Sequence, residues 1–160
     1  MFQKATNFLH KLEHNLTNEP GKDGWSHICG GVDGKPFEFV NQRFVLVGVK
    51  GHAGTLVDKM QFLFVDPQTG QFQSTPEIGG HGGQPFSIEC PSGTYITKIH
   101  VWSGSAVDAV QFVTNTGMES AKFGGKGGDR HVIDSKGKHF CGVKGLAKEV
   151  ITQICFGISA

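Results

Sequence analysis

The chain has 160 residues, with 15 Lys and Arg against 14 Asp and Glu and a formal charge of +1, a balance that excludes the basic excess of a general nucleic-acid binder. One domain of this length builds a full hydrophobic core without help from a metal or disulfides. No apolar run approaches the roughly 18 residues of a membrane span, and 24 Gly beside 13 Phe describe a turn-rich folded chain rather than a disordered one.

In chain order, the first segment stands apart. Phe2, Ala5, Leu9, Leu12 and Leu16 follow one another at steps of 3, 4, 3 and 4, which sets one apolar seam on a helix. Glu19-Pro20-Gly21 ends it. The expectation is an N-terminal amphipathic α-helical extension over residues 1–24, laid on the main domain over 25–160 or used for homo-oligomer formation, since a seam this short is not stable alone. The segment has no unbroken apolar core of a secretory signal, so a cytoplasmic or non-classically secreted chain is expected. Its four cysteines, Cys29, Cys90, Cys141 and Cys155, are then expected as free thiols. His10 and His14 have metal-compatible spacing, and His27 with Cys29 is a weaker hint of the same kind. No third ligand is evident from the sequence, and no metal or other cofactor is expected.

From Trp25 onward the pattern is short strands and glycine turns. Residues 44–49, 61–65 and 94–99 are strand-like, and Asp66-Pro67-Gln68-Thr69-Gly70 and Asn115-Thr116-Gly117 carry turn chemistry. Two motifs recur. Gly30-Gly31-Val32-Asp33-Gly34 matches Gly79-Gly80-His81-Gly82-Gly83 and Gly124-Gly125-Lys126-Gly127-Gly128. Gly54-Thr55-Leu56-Val57-Asp58 matches Gly104-Ser105-Ala106-Val107-Asp108, and two residues separate each Asp from a Gln-Phe pair. A third copy is found from its flank. Gly48-Val49-Lys50-Gly51 recurs as Gly142-Val143-Lys144-Gly145, which sets Lys148 against Gly54 and Thr152 against Asp58. Three repeats of about 45–50 residues result. Because the order begins with a glycine loop and ends with a degenerate GxxxD copy, the first repeat must draw its partner strand from the other end of the chain, in a closed three-fold β structure.

Neither the Gly79–Gly83 nor the Gly124–Gly128 loop continues into G-x-G-x-x-G, and no G-x-x-x-x-G-K-[ST] is present. A polyol fits the motif better. A carboxylate accepts from two vicinal hydroxyls at once, loop amides donate to hydroxyl or ring oxygens, and glycine lets the backbone approach. The competing reading is that the glycines only make turns and that each Asp caps its own loop. Asp58 and Asp108 sit in different repeats, so they are not expected to form the close carboxylate pair of a glycosidase, and no enzyme activity is expected.

On the three glycine loops, GTLVD, GSAVD and the Gln-Phe after each Asp, the region from Trp25 to Ala160 resembles a jacalin-related lectin domain. The resemblance implies an all-β prism of three four-stranded Greek-key sheets, and a monosaccharide held between each GxxxD loop and the last glycines of the following glycine loop. Carried over, the first site is Gly54, Thr55, Leu56 and Asp58 with Gly82 and Gly83. The second is Gly104, Ser105, Ala106 and Asp108 with Gly127 and Gly128. The last repeat departs: Lys148 replaces the glycine, Thr152 replaces the aspartate, and Gly34 follows Asp33. Its site is expected to be lost or altered, leaving two sugars per chain. Galactose-preferring members use a free glycine N-terminus beside the principal site, whereas this chain runs through residues 1–29, so mannose or glucose-type glycans are the expected partners. His81, Lys126 and Trp102 stand near these loops, as solvated or packing residues or as sugar contacts. Two alternatives stay open: an interaction prism that has lost sugar binding, and a membrane-active lectin using residues 1–19.

Overall fold

In each repeat a β-hairpin forms where two apolar alternating runs meet across a three-residue loop. A computed structural model of the chain describes residues 19–21 and 24–160; the expected helix and its seam lie outside the described residues. The strands, in chain order, are β1 (Cys29–Gly30), β2 (Lys35–Val40), β3 (Val45–Ala53), β4 (Val57–Val65), β5 (Phe72–Ser74), β6 (Ile78–Gly79), β7 (Gln84–Glu89), β8 (Ile96–Ser103), β9 (Val107–Thr114), β10 (Phe123–Gly124), β11 (Asp129–Asp134), β12 (Phe140–Ala147) and β13 (Ile151–Ile158).

They build three antiparallel sheets. One has the order β10-β9-β8-β11, a Greek key in which the fourth strand returns beside the first. The order β5-β4-β3-β7 repeats that topology, with β6 also pairing β4. The remaining sheet, β1-β13-β12-β2, takes two strands from each end of the chain, as the motif order requires. The outer place beside β4 is split rather than continuous. β5 pairs residues 63–65 and β6 pairs residues 59–60, and between them lies Pro76, which has no N–H to give to a ladder.

The split outer strand explains the Gln-Phe motif. Thr75 Oγ1 accepts from Phe62 N at 3.0 Å and donates to the Pro76 carbonyl at 2.9 Å, while Gln61 Nε2 donates to the Thr75 carbonyl at 2.8 Å. Ser120 repeats this with Phe112 N, Gln111 Nε2 and Ala121 O. Ser26 holds Phe156 N the same way, at 2.9 Å. These bonds clamp the irregular edge and are structural.

The core lies where the three inner hairpins face one another. Phe62, Phe112 and Phe156, at equivalent repeat positions, are at most 1% exposed, and each contributes roughly 1.5–3 kcal/mol by burial. Just before the hairpin turn each sheet shifts register, at His52/Ala53, Trp102/Ser103 and Leu146/Ala147. This shared bulge re-aims the loop that follows.

Candidate functional site

All three hairpin loops have one backbone shape. Gly54 N donates to Leu56 O at 2.9 Å, Gly104 N to Ala106 O at 3.0 Å, and Lys148 N to Val150 O at 2.9 Å. The glycine loops dock on them equally regularly, with Gly80 N, Gly125 N and Gly31 N donating to the carbonyls of Asp58, Asp108 and Thr152 at 2.8–2.9 Å.

The loops also interlock around one end of the prism. A methyl group on Gly31 would meet the Ser105 carbonyl oxygen at 2.3 Å. The corresponding approach is 2.2 Å for Gly80 on Glu149 and 2.2 Å for Gly125 on Thr55. Each glycine loop therefore touches two hairpin loops from different repeats, and the six loops close into a ring. Any side chain at these three glycines would push the ring apart.

Inside the ring, Asp58 meets Gly82 and Gly83, and Asp108 meets Gly127 and Gly128. A methyl on Gly82 would sit 2.7 Å from Asp58 Oδ2, and one on Gly83 2.6 Å from Asp58 Oδ1. The second locus gives 2.6 Å from Asp108 Oδ2 and 2.5 Å from Asp108 Oδ1. Gly83 and Gly128 have φ of +82° and +79°, which L side chains avoid. The two loci are thus near copies, each pairing a GxxxD loop with the glycine loop that follows it.

The aspartates do not cap their own loops. Asp66 Oδ1 accepts from Gln68 N, and Asp134 Oδ1 from Lys136 N, the usual Asx-turn arrangement. Asp58 and Asp108 are half-buried, yet among the described residues neither carboxylate accepts a hydrogen bond. Nor does folding explain the glycine that opens each motif. Gly54 has no neighbour closer than 3.7 Å to an added methyl, Gly104 has none within 4 Å, and neither has positive φ. What those glycines preserve is open space above the loop.

The third locus is filled from within. Thr152 Oγ1 donates to the Asp33 carbonyl, and Lys148 Nζ donates to the Asp33 carboxylate. The Lys148 hydrogen bond and charge hold the Asp33 carboxyl below its usual range. Thr152 is buried where Asp58 and Asp108 are half-buried.

A jacalin-like lectin domain family model matches residues 26–157. The chain belongs to the jacalin-like lectin family. A mannose/glucose-specific lectin from Parkia platycephala is 31% identical to this jacalin-like chain over 98 residues, 60% of this chain and 21% of that protein. Malaysian banana lectin has the same fold, with a TM-score of 0.71 at 22% identity over 82% of this chain and 94% of its own. A mannose binding jacalin related lectin from Ananas comosus aligns with a TM-score of 0.75 at 18% identity, covering 90% of this chain and 97% of its own.

The flanking residues sort by position in this jacalin-like domain. His81 and Lys126 are exposed at the tips of their glycine loops. The Trp102 ring is engaged elsewhere: Lys122 Nζ lies 4.2 Å from its centroid, and His100 stacks at 6.2 Å. His52, two residues before Gly54 as Trp102 is before Gly104, lies with Nδ1 3.4 Å from the Gly83 carbonyl. It borders the first locus, and only its place in the repeat could have signalled it.

Proposed function

We propose that the chain is a non-enzymatic lectin that binds mannose- or glucose-type sugars at two loci, Asp58 with Gly82 and Gly83, and Asp108 with Gly127 and Gly128. The observation that carries this reading is the pair of half-buried carboxylates that lean on glycine backbones and accept no hydrogen bond within the described residues. Such a carboxylate accepts from two vicinal hydroxyls, while amides of Thr55 and Leu56, or Ser105 and Ala106, donate to sugar oxygens. The preference for mannose or glucose rests on the names of the Parkia and Ananas relatives. Lys148, Thr152 and Asp33 satisfy one another, so the third locus takes no sugar.

One small sugar in an open site is held weakly; a Kd near ~1 mM is about −4 kcal/mol. Both loci open on the same ring of loops, so one branched or surface-bound glycan can engage both and gain avidity. The test is mannoside binding by Asp58→Ala, Asp108→Ala and the double variant. Each single variant should retain one site and the double variant none. Unchanged binding in the double variant would refute the site assignment.

A further inference from the structure

We propose that His27, Cys29 and His131 form a binding site for a zinc-class divalent cation at the seam between two sheets. Beside His27 and Cys29 the sequence offers no third ligand; the fold supplies one from β11, in a different sheet. One imidazole nitrogen from each histidine and the Cys29 Sγ all lie within 4.8 Å of one another. The two imidazole rings are 5.7 Å apart, inclined at 58°.

The ligand set and its spacing fit this ion class. Imidazole nitrogen and thiolate sulfur are both ordinary zinc ligands, and three protein ligands with water in the fourth position make an open tetrahedral site. Ordinary zinc bond lengths in a tetrahedron separate ligand atoms by about 3.3–3.6 Å, so a cluster within 4.8 Å need close by no more than about 1.2–1.5 Å. His27 is exposed and His131 half-buried, which leaves the imidazoles room to rotate and gives the ion a route from solvent.

The backbone under each ligand is fixed, as a pre-organised site needs. Cys29 pairs with Ile154 and His131 with Val101 in their ladders. Ser26, beside His27, is pinned to Phe156 through both N–H and hydroxyl. On binding, Cys29 gives its thiol proton to solvent, and the Sγ lone pair bonds the cation. β1 leads into Gly31–Gly34, and β11 follows Gly124–Gly128, so the ion joins two arcs of the loop ring. Soft thiolate and imidazole donors select zinc-class ions over calcium or magnesium.

The experiment is titration of the reduced full chain with cobalt(II) as an optical probe, then competition by zinc. The expected result is one equivalent bound, with a thiolate-to-cobalt charge-transfer band that zinc abolishes. Cys29→Ser should remove the band. His131→Gln and His27→Gln should each weaken cobalt binding by at least about tenfold, the lower end of what even outer-shell changes cost. Neither histidine is fully buried, so their variants stay informative if Cys29→Ser fails to fold. A missing band in the parent chain, or unchanged affinity in both histidine variants, overturns the site. Mannoside titration of the chelated protein should be unaltered, which keeps this test separate from that of the lectin reading.

Discussion

The first two hairpin loops and the third have one backbone and opposite side-chain chemistry. Each closes with the same N–H to carbonyl bond of 2.9–3.0 Å, and each receives a glycine loop. In the first two, a carboxylate stands over a glycine pair and accepts no hydrogen bond among the described residues. In the third, the hydroxyl of Thr152 and the ammonium of Lys148 are spent on Asp33. The prism therefore dictates loop shape through the interlocked ring, which constrains all three loops alike. On the proposed reading, sugar competence is a separate property of two or three side chains, and the third loop keeps the shared backbone shape without it.

Making all three loops alike by removal should have the strongest consequence. Asp58→Ala with Asp108→Ala should abolish mannoside binding, each change costing roughly 1.5–3 kcal/mol, about ten- to a hundredfold in affinity, with the melting temperature kept. Next, Gly82→Ala or Gly127→Ala aims one methyl at an Asp oxygen, 2.7 or 2.6 Å away, at a glycine without positive φ. Overpacking of roughly 1–3 kcal/mol should weaken that locus alone, read as a drop from two sites to one. A Gly125→Ala control should destabilise the fold instead, because the clash there is with the Thr55 backbone at 2.2 Å.

Converting the third loop is subtler. Asp33→Gly, Lys148→Gly and Thr152→Asp together should add a weak third site in the same titration. Binding that stays at two sites would show that the third loop lacks more than these side chains. The smallest effect is expected from Lys148→Ala alone. It releases the Asp33 carboxylate toward its ordinary titration range but leaves Thr152 bonded to the Asp33 carbonyl, so no sugar binding appears and stability is nearly unchanged, as is usual for an exposed ion pair.

The repeats made much of this legible. Matching Gly48–Gly51 with Gly142–Gly145 located the third loop, and the motif order required the sheet that β1 and β2 share with β12 and β13. Lys148 and Thr152 marked that loop as different. What the sequence could not show is contact between repeats. Gly31 on Ser105, Gly80 on Glu149 and Gly125 on Thr55 join residues with no shared local pattern. Thr55 and Ser105 thereby acquire a backbone role in the ring that no motif announces. The Lys148 bond to Asp33, and the approach of His131 to His27 and Cys29, arise the same way, from the closure of the sheets. The Gln-Phe pairs were visible, but their clamp function depends on Thr75 and Ser120, at unequal distances along the chain.

Whether two loops of three hold sugar is decided by calorimetric titration with methyl α-mannoside, with methyl α-galactoside as control. Mannoside should bind with a stoichiometry of two per chain, and galactoside should bind more weakly or not at all. A stoichiometry of one or three, or no mannoside binding, would contradict the assignment of Asp58 and Asp108 as the competent pair and Thr152 as the spent one.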